Sequence, residues 1–516
     1  MNAKSRYDTL KSERDQYLNV AEEASRLTIP YLVHEDEQIQ GMRNLKTPWQ
    51  SVGAKGVVTL SAKLMLSLLP PQTSFFKLQV DESKLGDYGP EVKSELDLAF
   101  AKIERTILEK IAASDDRVVV HQAMKHLVVA GNALIFMGKK NLKLFPLSRY
   151  VIDRDGNGNV IEIVTKERIS KKLIQELVPD LENKNTTDYG EDKTENCDVY
   201  THVKIYGSKV TWHQEVYDKI IPKSQGKAPL SATPWLPLRF NTVDGESYGR
   251  GRVEEFIGDL KSLEALSQAL VEGSAAAAKV VFTVSPSSST KPQTLAQAGN
   301  GAIVQGRPDD IGVVQVGKTA DFQTAYNMVQ QLERRLAEAF LILSVRQSER
   351  TTAEEVRLTQ MELEQSLGGL FSLLTVEFLV PYLDRKLNVF QKTGKIPRIP
   401  EGIVHPTIVA GINSLGRGQD RESLGMFLQT IAQTIGPEAI MQFINPDEVI
   451  KRLAAASGID VLNLVKSMEE IQGEQQQQMQ QQMAMQEQQN TPALAAVGQK
   501  QLQAEMEMAQ QQQPPG

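Results

Sequence analysis

Apolar residues recur along this chain with two different periods, and the switches between them predict its organisation. Over residues 4–28, Tyr7, Leu10, Tyr17, Val20 and Ala24 fall loosely on one side of a helix that ends near Pro30. From Ser51 to Leu69, Val52, Val57, Leu60, Leu64 and Leu68 form a second helical stripe. Pro70 and Pro71 stop it, because neither donates a backbone hydrogen and both disfavour helix in the residue before them. FFKLQV, from Phe75 to Val80, reads as a strand. Two more helices are predicted between Glu91 and Ile135, the first carrying Leu96, Ile103, Ile107 and Ile111, the second Met124, Leu127, Val128 and Ile135. From Leu142 to Ile205 the period shortens in the runs LKLFPL, YVI, VIEIV and VYTHVKIY, which predicts a small antiparallel sheet beside a helical layer. The nearly apolar-free segment from Asp180 to Cys197 reads as a surface loop or a disordered insert.

The middle of the chain is organised on a longer scale. Val253, Phe256, Ile257, Leu260, Leu263, Leu266 and Leu270 recur at helical spacing between Arg252 and Ala278, a span of roughly 40 Å at about 1.5 Å per residue. A β-rich insert with a polar tip follows. A second helix is then predicted from about Phe322 to Leu343, with Met328, Leu332, Leu336 and Phe340 as its stripe. After SVRQSERTTAEEVRL, Thr351 with Glu354 and Thr352 with Glu355 have capping-box spacing. A third long helix begins there, with Val356, Leu363, Leu367, Leu370, Leu374 and Phe378 on one face. Gly368 and Gly369 should loosen it, and it should end around Pro381 or shortly beyond. Residues 403–470 return to helical units. From Gly473 onward Gln, Met and Ala dominate, a composition that buries too little to offset its ordering entropy and predicts disorder, with a coiled helix as the competing reading for parts of it.

Composition narrows the function classes. With 41% hydrophobic residues among 516, the chain can build a substantial core and several lobes. Its 57 Lys plus Arg against 64 Asp plus Glu give a formal net charge of -7, whereas a protein that grips nucleic acid through phosphates normally carries a basic excess. A single cysteine, Cys197, excludes an intrachain disulfide and any multi-thiolate metal centre, and fits a reducing compartment. The charged N-terminal segment has no signal-peptide core and no run approaches about 18 apolar residues, so no stable membrane insertion and cytoplasmic synthesis are expected.

Several fragments imitate chemistry. In DRDGNGNVIEIV, Asp153, Asp155 and Asn157 have calcium-loop spacing, but the twelfth position is Val164 rather than a chelating Glu, and a tight hairpin is the expectation. His202 and His213, and separately His121 and His126, lack a metalloprotease-type pattern and read as ordinary surface or core histidines. YGRGRVEE, from Tyr248, is read as a glycine-mediated turn into a helix, because no phosphate-binding GxxxxGK[ST] sequence exists anywhere. No catalytic, cofactor-binding or metal site is expected, and no enzyme.

The blocks TPWQSVGAKGVVTLSAKLMLSLLPPQTSFFKL, HQAMKHLVVAGNALIF, VDGESYGRGRVEEFIGDLKSLEALSQALVEGS, TAEEVRLTQMELEQSLGGLFSLLTVEFLVPYL and GINSLGRGQD stand in order across about residues 5–470. In this order the chain resembles the portal proteins, or head-tail connectors, of short-tailed podoviruses related to the Autographiviridae. The resemblance implies an α+β portal fold: a helical wing with a small β-sheet, long stem helices, a β-rich clip, a mostly helical C-terminal crown and a disordered Gln-rich tail.

Carried onto this sequence, it places the wing and N-terminal α+β region at 1–245, the first stem helix at 246–278, the clip at 279–321 and the second stem helix at 322–343. The channel or tunnel loop takes 344–352, a long wing and tunnel helix 353–399, the crown 400–472 and the tail 473–516. Arg346 and Arg350 are then expected to make channel contacts with DNA. Gly249, Arg250 and Arg252 would support the start of the stem, with Leu260, Leu263 and Leu266 as its packing stripe.

The implied function is structural: a homododecameric ring at one capsid vertex, between head and tail of the virion, assembled in the host cytoplasm. It forms the channel for genome packaging and ejection and docks the terminase large subunit, then the tail adaptor. Further expected partners are the major capsid protein, scaffold and internal core proteins, with only transient, sequence-independent contact to double-stranded DNA. Another ring-forming connector or a tail adaptor is the rival reading.

Overall fold

The computed structural model describes residues 2–34, 45–70, 75–80, 90–139, 141–177, 196–277, 281–299, 301–314, 319–342, 369–397, 404–408, 416–434, 449 and 500–505. Contacts divide the chain into two units, residues 1–415 and 416–516.

Within the first unit, α1 (Ala3–Arg26) begins where the Asn2 side chain accepts from the Ser5 amide at 2.8 Å, satisfying one of the donors a helix start leaves free. α2 (Val52–Leu68) buries Val57, Leu60, Leu64 and Leu68, the stripe expected from their spacing. β1 (Phe76–Val80) follows, then α3 (Pro90–Ala112) and α4 (Asp116–Ala130). α4 stops at Gly131, whose φ of 72° is the left-handed conformation that ends helices and that glycine adopts without a steric penalty. Ile135, assigned above to that helix, therefore lies in a strand, β2 (Asn132–Met137). Short apolar runs leave helix and strand ambiguous until the stop signal is weighed.

β2 is the centre of a three-stranded antiparallel sheet, between β3 (Leu142–Phe145) and a later strand at Trp235–Arg239. The expected small sheet is a separate, six-stranded one. It runs β4 (Tyr150–Arg154), β5 (Val160–Ser170), β6 (Asn196–Tyr206), β7 (Lys209–Val216) and β8 (Lys219–Ile220), with β9 (Gly226–Pro229) also paired to β7. A short helix, α5 (Lys171–Leu177), follows β5, and β10 (Trp235–Arg239) returns to β2. α1 lies against the six-stranded sheet, burying Tyr7 with Val151, Val164 and Tyr200.

The long helix expected over 252–278 is interrupted. α6 (Arg252–Glu255) ends at Phe256, and α7 (Ile257–Ala277) continues from there. The break lets the Phe256 ring pack 5.9 Å from the Phe340 ring, while the Arg252 guanidinium sits 4.9 Å from the Phe256 ring centre. The described part of the insert that follows holds one two-stranded ladder, β11 (Val281–Val284) with β12 (Ile311–Val314), and a short helix α8 (Pro292–Gln297). α9 (Thr319–Ala339) returns alongside α7. Its buried positions are Val329, Leu332, Leu336 and, just beyond its end, Phe340; Met328, assigned to the stripe above, is half exposed because Val329 holds the inward position.

The third long helix outlasts its expected end. α10 (Leu370–Leu374) passes through a π-turn at Thr375–Leu379 into α11 (Val380–Lys392), so Pro381 does not terminate it. Proline lacks an N–H and collides with the carbonyl four residues back, here that of Glu377, and the wider π-turn immediately before it relieves both problems. β13 (Val404–Ile408) pairs antiparallel with β1, a strand within a region read above as helical. The Gly368 part of the helix, the capping boxes at 351–355, the segment 180–195 and most of the Gln-rich tail lie outside the described residues. In the second unit α12 (Gly416–Thr434) is the principal described helix. No described helix is long and apolar enough to cross a membrane.

Candidate functional site: the base of the long helix pair

The residues expected to support the stem meet at one junction, where the α4–β2 turn, the Tyr248–Arg252 strap and the end of α9 converge. Glycine is required on both sides. A Cβ on Gly131 would stand 2.5 Å from the Arg250 carbonyl carbon, one on Gly249 would stand 2.7 Å from the Gly131 oxygen, and one on Gly251 would stand 2.6 Å from the Val129 oxygen. Two backbones therefore touch with no side chain between them.

Asn132 locks this contact. Its amide nitrogen donates to the Gly249 carbonyl at 2.6 Å and to the Ala130 carbonyl at 3.0 Å, while its oxygen accepts from the Gly249 amide at 2.7 Å. Asn132 is buried, so these bonds satisfy groups that water does not reach. Sequence reading did not single it out. The available signal was an amide side chain directly after a helix-ending glycine, at the head of an otherwise apolar strand. Beside it, the buried Tyr248 accepts from the Ile152 amide at 3.0 Å, and burial raises its phenol well above the ordinary range.

The three expected support residues act differently. Gly249 supplies the close approach. Arg250 forks onto Glu246 at 2.6 Å and 3.0 Å, and onto Glu254 at 2.6 Å; hydrogen bonds first to Glu246 and then to Glu254 raise its pKa. Glu254 lies in the first turn of α6, where a carboxylate also favours the helix dipole. Arg252 pairs with Glu255 and donates to the Ala339 carbonyl at 3.2 Å. That bond ties the beginning of one long helical segment to the last turn of the other, where carbonyls lack intrahelical donors.

Above the junction, Leu260 and Leu263 are fully buried and Leu266 only partly so. Arg335 pairs with Asp259 across the helices. Toward the far end, Gly273 admits the Phe322 ring, whose nearest atom would be 2.6 Å from a Cβ there, while Val271, Tyr326 and Met328 stay exposed. The hairpin is thus well packed at its base and leaves apolar side chains uncovered further out.

A second polar group holds the π-turn in place. Glu377 accepts from the Arg239 amide at 2.8 Å and from its guanidinium at 2.7 and 2.8 Å, with Arg154 at 3.9 Å. Burial lowers the Arg154 pKa to about 10 against the pull of Glu377.

The imitative motifs resolve individually. Residues 153–160 form the expected hairpin, with Asp155 accepting from the Asn157 and Asn159 amides at 2.9 and 2.8 Å and Gly158 at φ 80°. Cys197 is buried among Ile174, Val199, Val216 and Ile221, and burial raises its pKa. His126 is a core histidine whose pKa burial lowers to about 4. His202 and His213, read above as ordinary surface or core histidines, face each other across β6 and β7. Arg346 and Arg350 lie outside the described residues.

The junction is a joint between backbones. Residues 1–463 match the family model described as bacteriophage head to tail connecting protein. The chain is 38% identical over 484 residues to the portal protein of Enterobacteria phage T3 and 37% identical over 485 residues to that of Escherichia phage T7, in each case covering 91% of this chain and 89% of the relative. It is 29% identical over 481 residues to the portal protein of Enterobacteria phage SP6, covering 91% of this chain and 90% of the relative. The chain belongs to the family of bacteriophage head-to-tail connecting proteins, the portal proteins of tailed phages, in agreement with the Autographiviridae-type resemblance. These are structural, non-catalytic components of the virion that serve genome packaging.

Proposed function

We propose that twelve copies of this chain form a ring at one capsid vertex, with a central channel through which DNA is packaged and later ejected. The observation that carries the reading is the match along 91% of the chain to portal proteins at 37–38% identity. The uncovered Val271, Tyr326 and Met328 on the outer part of the α7–α9 pair support it, because a neighbouring copy would bury them. The wing then corresponds to 1–245, the stem helices to 246–278 and 322–343, and the clip between them to 279–321. The channel loop corresponds to 344–352, the long helix to 353–399, the crown to 400–472 and the tail to 473–516.

In this arrangement the Asn132–Gly249 contact and the Arg252–Ala339 bond fix the angle at which the stem leaves the wing. The clip docks the terminase large subunit during packaging and the tail adaptor afterwards. Wing and crown face the major capsid protein, scaffold and internal core proteins, and assembly takes place in the host cytoplasm. A net charge of -7 per subunit suits a passage that lets a polyanion slide, with Arg346 and Arg350 making transient phosphate contacts. ATP hydrolysis belongs to the terminase. The test of the docking assignment is pull-down of the purified large terminase by intact rings. Binding lost when residues 285–310 are replaced by a short linker, with rings still formed, supports the clip; binding unchanged in such rings contradicts it.

A further inference from the structure

His202 on β6 and His213 on β7 are register partners in adjacent antiparallel strands. Glu215 stands two residues beyond His213 and so projects from the same face of the sheet. Glu162 of β5 is diagonal to His202, two residues from its register partner Val164, and shares that face as well. One nitrogen from each imidazole and one oxygen of Glu215 all lie within 4.8 Å of one another, and no other such three-residue group occurs among the described residues.

The carboxylates are held from behind. The Ala3 amide donates to Glu215 Oε2 at 2.6 Å, leaving Oε1 against His213 Nε2 at 2.7 Å. Arg6 Nε donates to Glu162 Oε2 at 2.6 Å, leaving Oε1 against His202 Nε2. Each carboxylate thus has its distal oxygen fixed by the start of α1 and its proximal oxygen turned toward a histidine. This is how protein groups outside a metal's own ligands orient those ligands.

Two separate His–Glu hydrogen bonds would satisfy two imidazoles wherever they lay, but here the two imidazoles also approach each other and Glu215, all three within 4.8 Å. Charge runs the same way. Glu162, Glu215 and Asp153, which pairs with Arg6 at 2.7 Å, are three carboxylates facing Arg6 and the more distant Lys204.

We propose that His202, His213 and Glu215 bind a divalent transition-metal cation, zinc(II) before calcium or magnesium, with Glu162 orienting the His202 ring through its hydrogen bond. Two imidazoles and a carboxylate oxygen make a borderline donor set that suits zinc, whereas calcium and magnesium take oxygen ligands throughout. In a tetrahedral zinc site with bonds of about 2.0–2.1 Å the ligand atoms stand roughly 3.3 Å apart. The three ligand atoms here all lie within 4.8 Å of one another, so closing the site calls for small side-chain adjustments. The bound ion clamps β6 to β7 and, through Ala3 and Arg6, fastens the start of α1 to the sheet.

The test uses tag-free, full-length protein in its assembled form, stripped with chelator, loaded with zinc chloride and dialysed, with bound metal measured per chain by elemental analysis. Wild type is expected to retain one zinc per chain in excess calcium and magnesium. His213→Ala, at a half-buried position, and Glu215→Gln should retain none, and Glu162→Gln should bind about 10–100-fold more weakly. Visible d–d bands of four-coordinate cobalt(II) in the wild type give a readout independent of any variant's folding. Zinc retained equally by a folded His213→Ala protein, or wild type that neither holds zinc nor shows those bands, would overturn the proposal.

Discussion

The Arg252 guanidinium donates to the Ala339 carbonyl at 3.2 Å, joining the first turn of α6 to the last turn of α9. The same side chain lies over the Phe256 ring, which packs on Phe340, so one residue braces both the polar and the apolar halves of the hairpin base. Arg252→Ala removes a charge-assisted bond worth about 1.5–3 kcal/mol and a ring contact worth about 0.5–1 kcal/mol. The expected outcome is a lower urea midpoint, with Arg252→Lys recovering only part of the loss because a lysine cannot serve Glu255 and Ala339 with one planar fork.

Asn132→Ala should be more damaging than its size implies. The substitution leaves the buried Gly249 amide and carbonyl without Asn132, at about 1–3 kcal/mol for each group left unsatisfied. Differential scanning calorimetry should show a clear fall in Tm, and no comparable fall for Asn241→Ala, whose side chain bonds an exposed Glu255.

Leu263 and Leu266 separate subunit folding from assembly. Leu263 is fully buried within one chain, so Leu263→Ala should cost about 2–5 kcal/mol per subunit. Leu266 is only partly buried, and Leu266→Ala should cost the isolated subunit less. If a neighbouring copy covers this face, Leu266→Ala will weaken ring formation, read by native mass spectrometry, out of proportion to its effect on subunit melting.

His126 sets a pH dependence. Its pKa falls from 6.5 unfolded to about 4 folded, because burial disfavours the imidazolium. Between those values the unfolded chain binds the extra proton, so stability is full above the unfolded pKa and is lost as pH falls toward 4. At about 1.36 kcal/mol per unit, the loss near pH 5 is roughly 2 kcal/mol. Urea midpoints at pH 7 and pH 5 should differ accordingly in the wild type and less in His126→Leu.

What the sequence disclosed followed from strong local signals. The stripe Val57, Leu60, Leu64, Leu68 and the stop at Pro70 gave α2 its face and end. The Asp153–Gly158 turn was readable because Asp155 makes only local bonds. Tertiary contacts decided the rest. Phe256 breaks its helix to reach Phe340, more than eighty residues away, and Glu377 occupies a π-turn whose anchor is Arg239 on another element. Gly249, Arg250 and Arg252 were singled out by family resemblance, yet Asn132, which holds Gly249, carried no periodicity to mark it. His213 and Glu215 were two apart on a strand, but their meeting with His202 depended on a register that only strand pairing fixes.

Single-particle electron microscopy of the purified protein, with copy number counted by native mass, tests the central claim most directly. The account predicts a twelve-subunit ring around an open channel wide enough for duplex DNA. A monomer or closed dimer that persists across salt and protein concentration would contradict it.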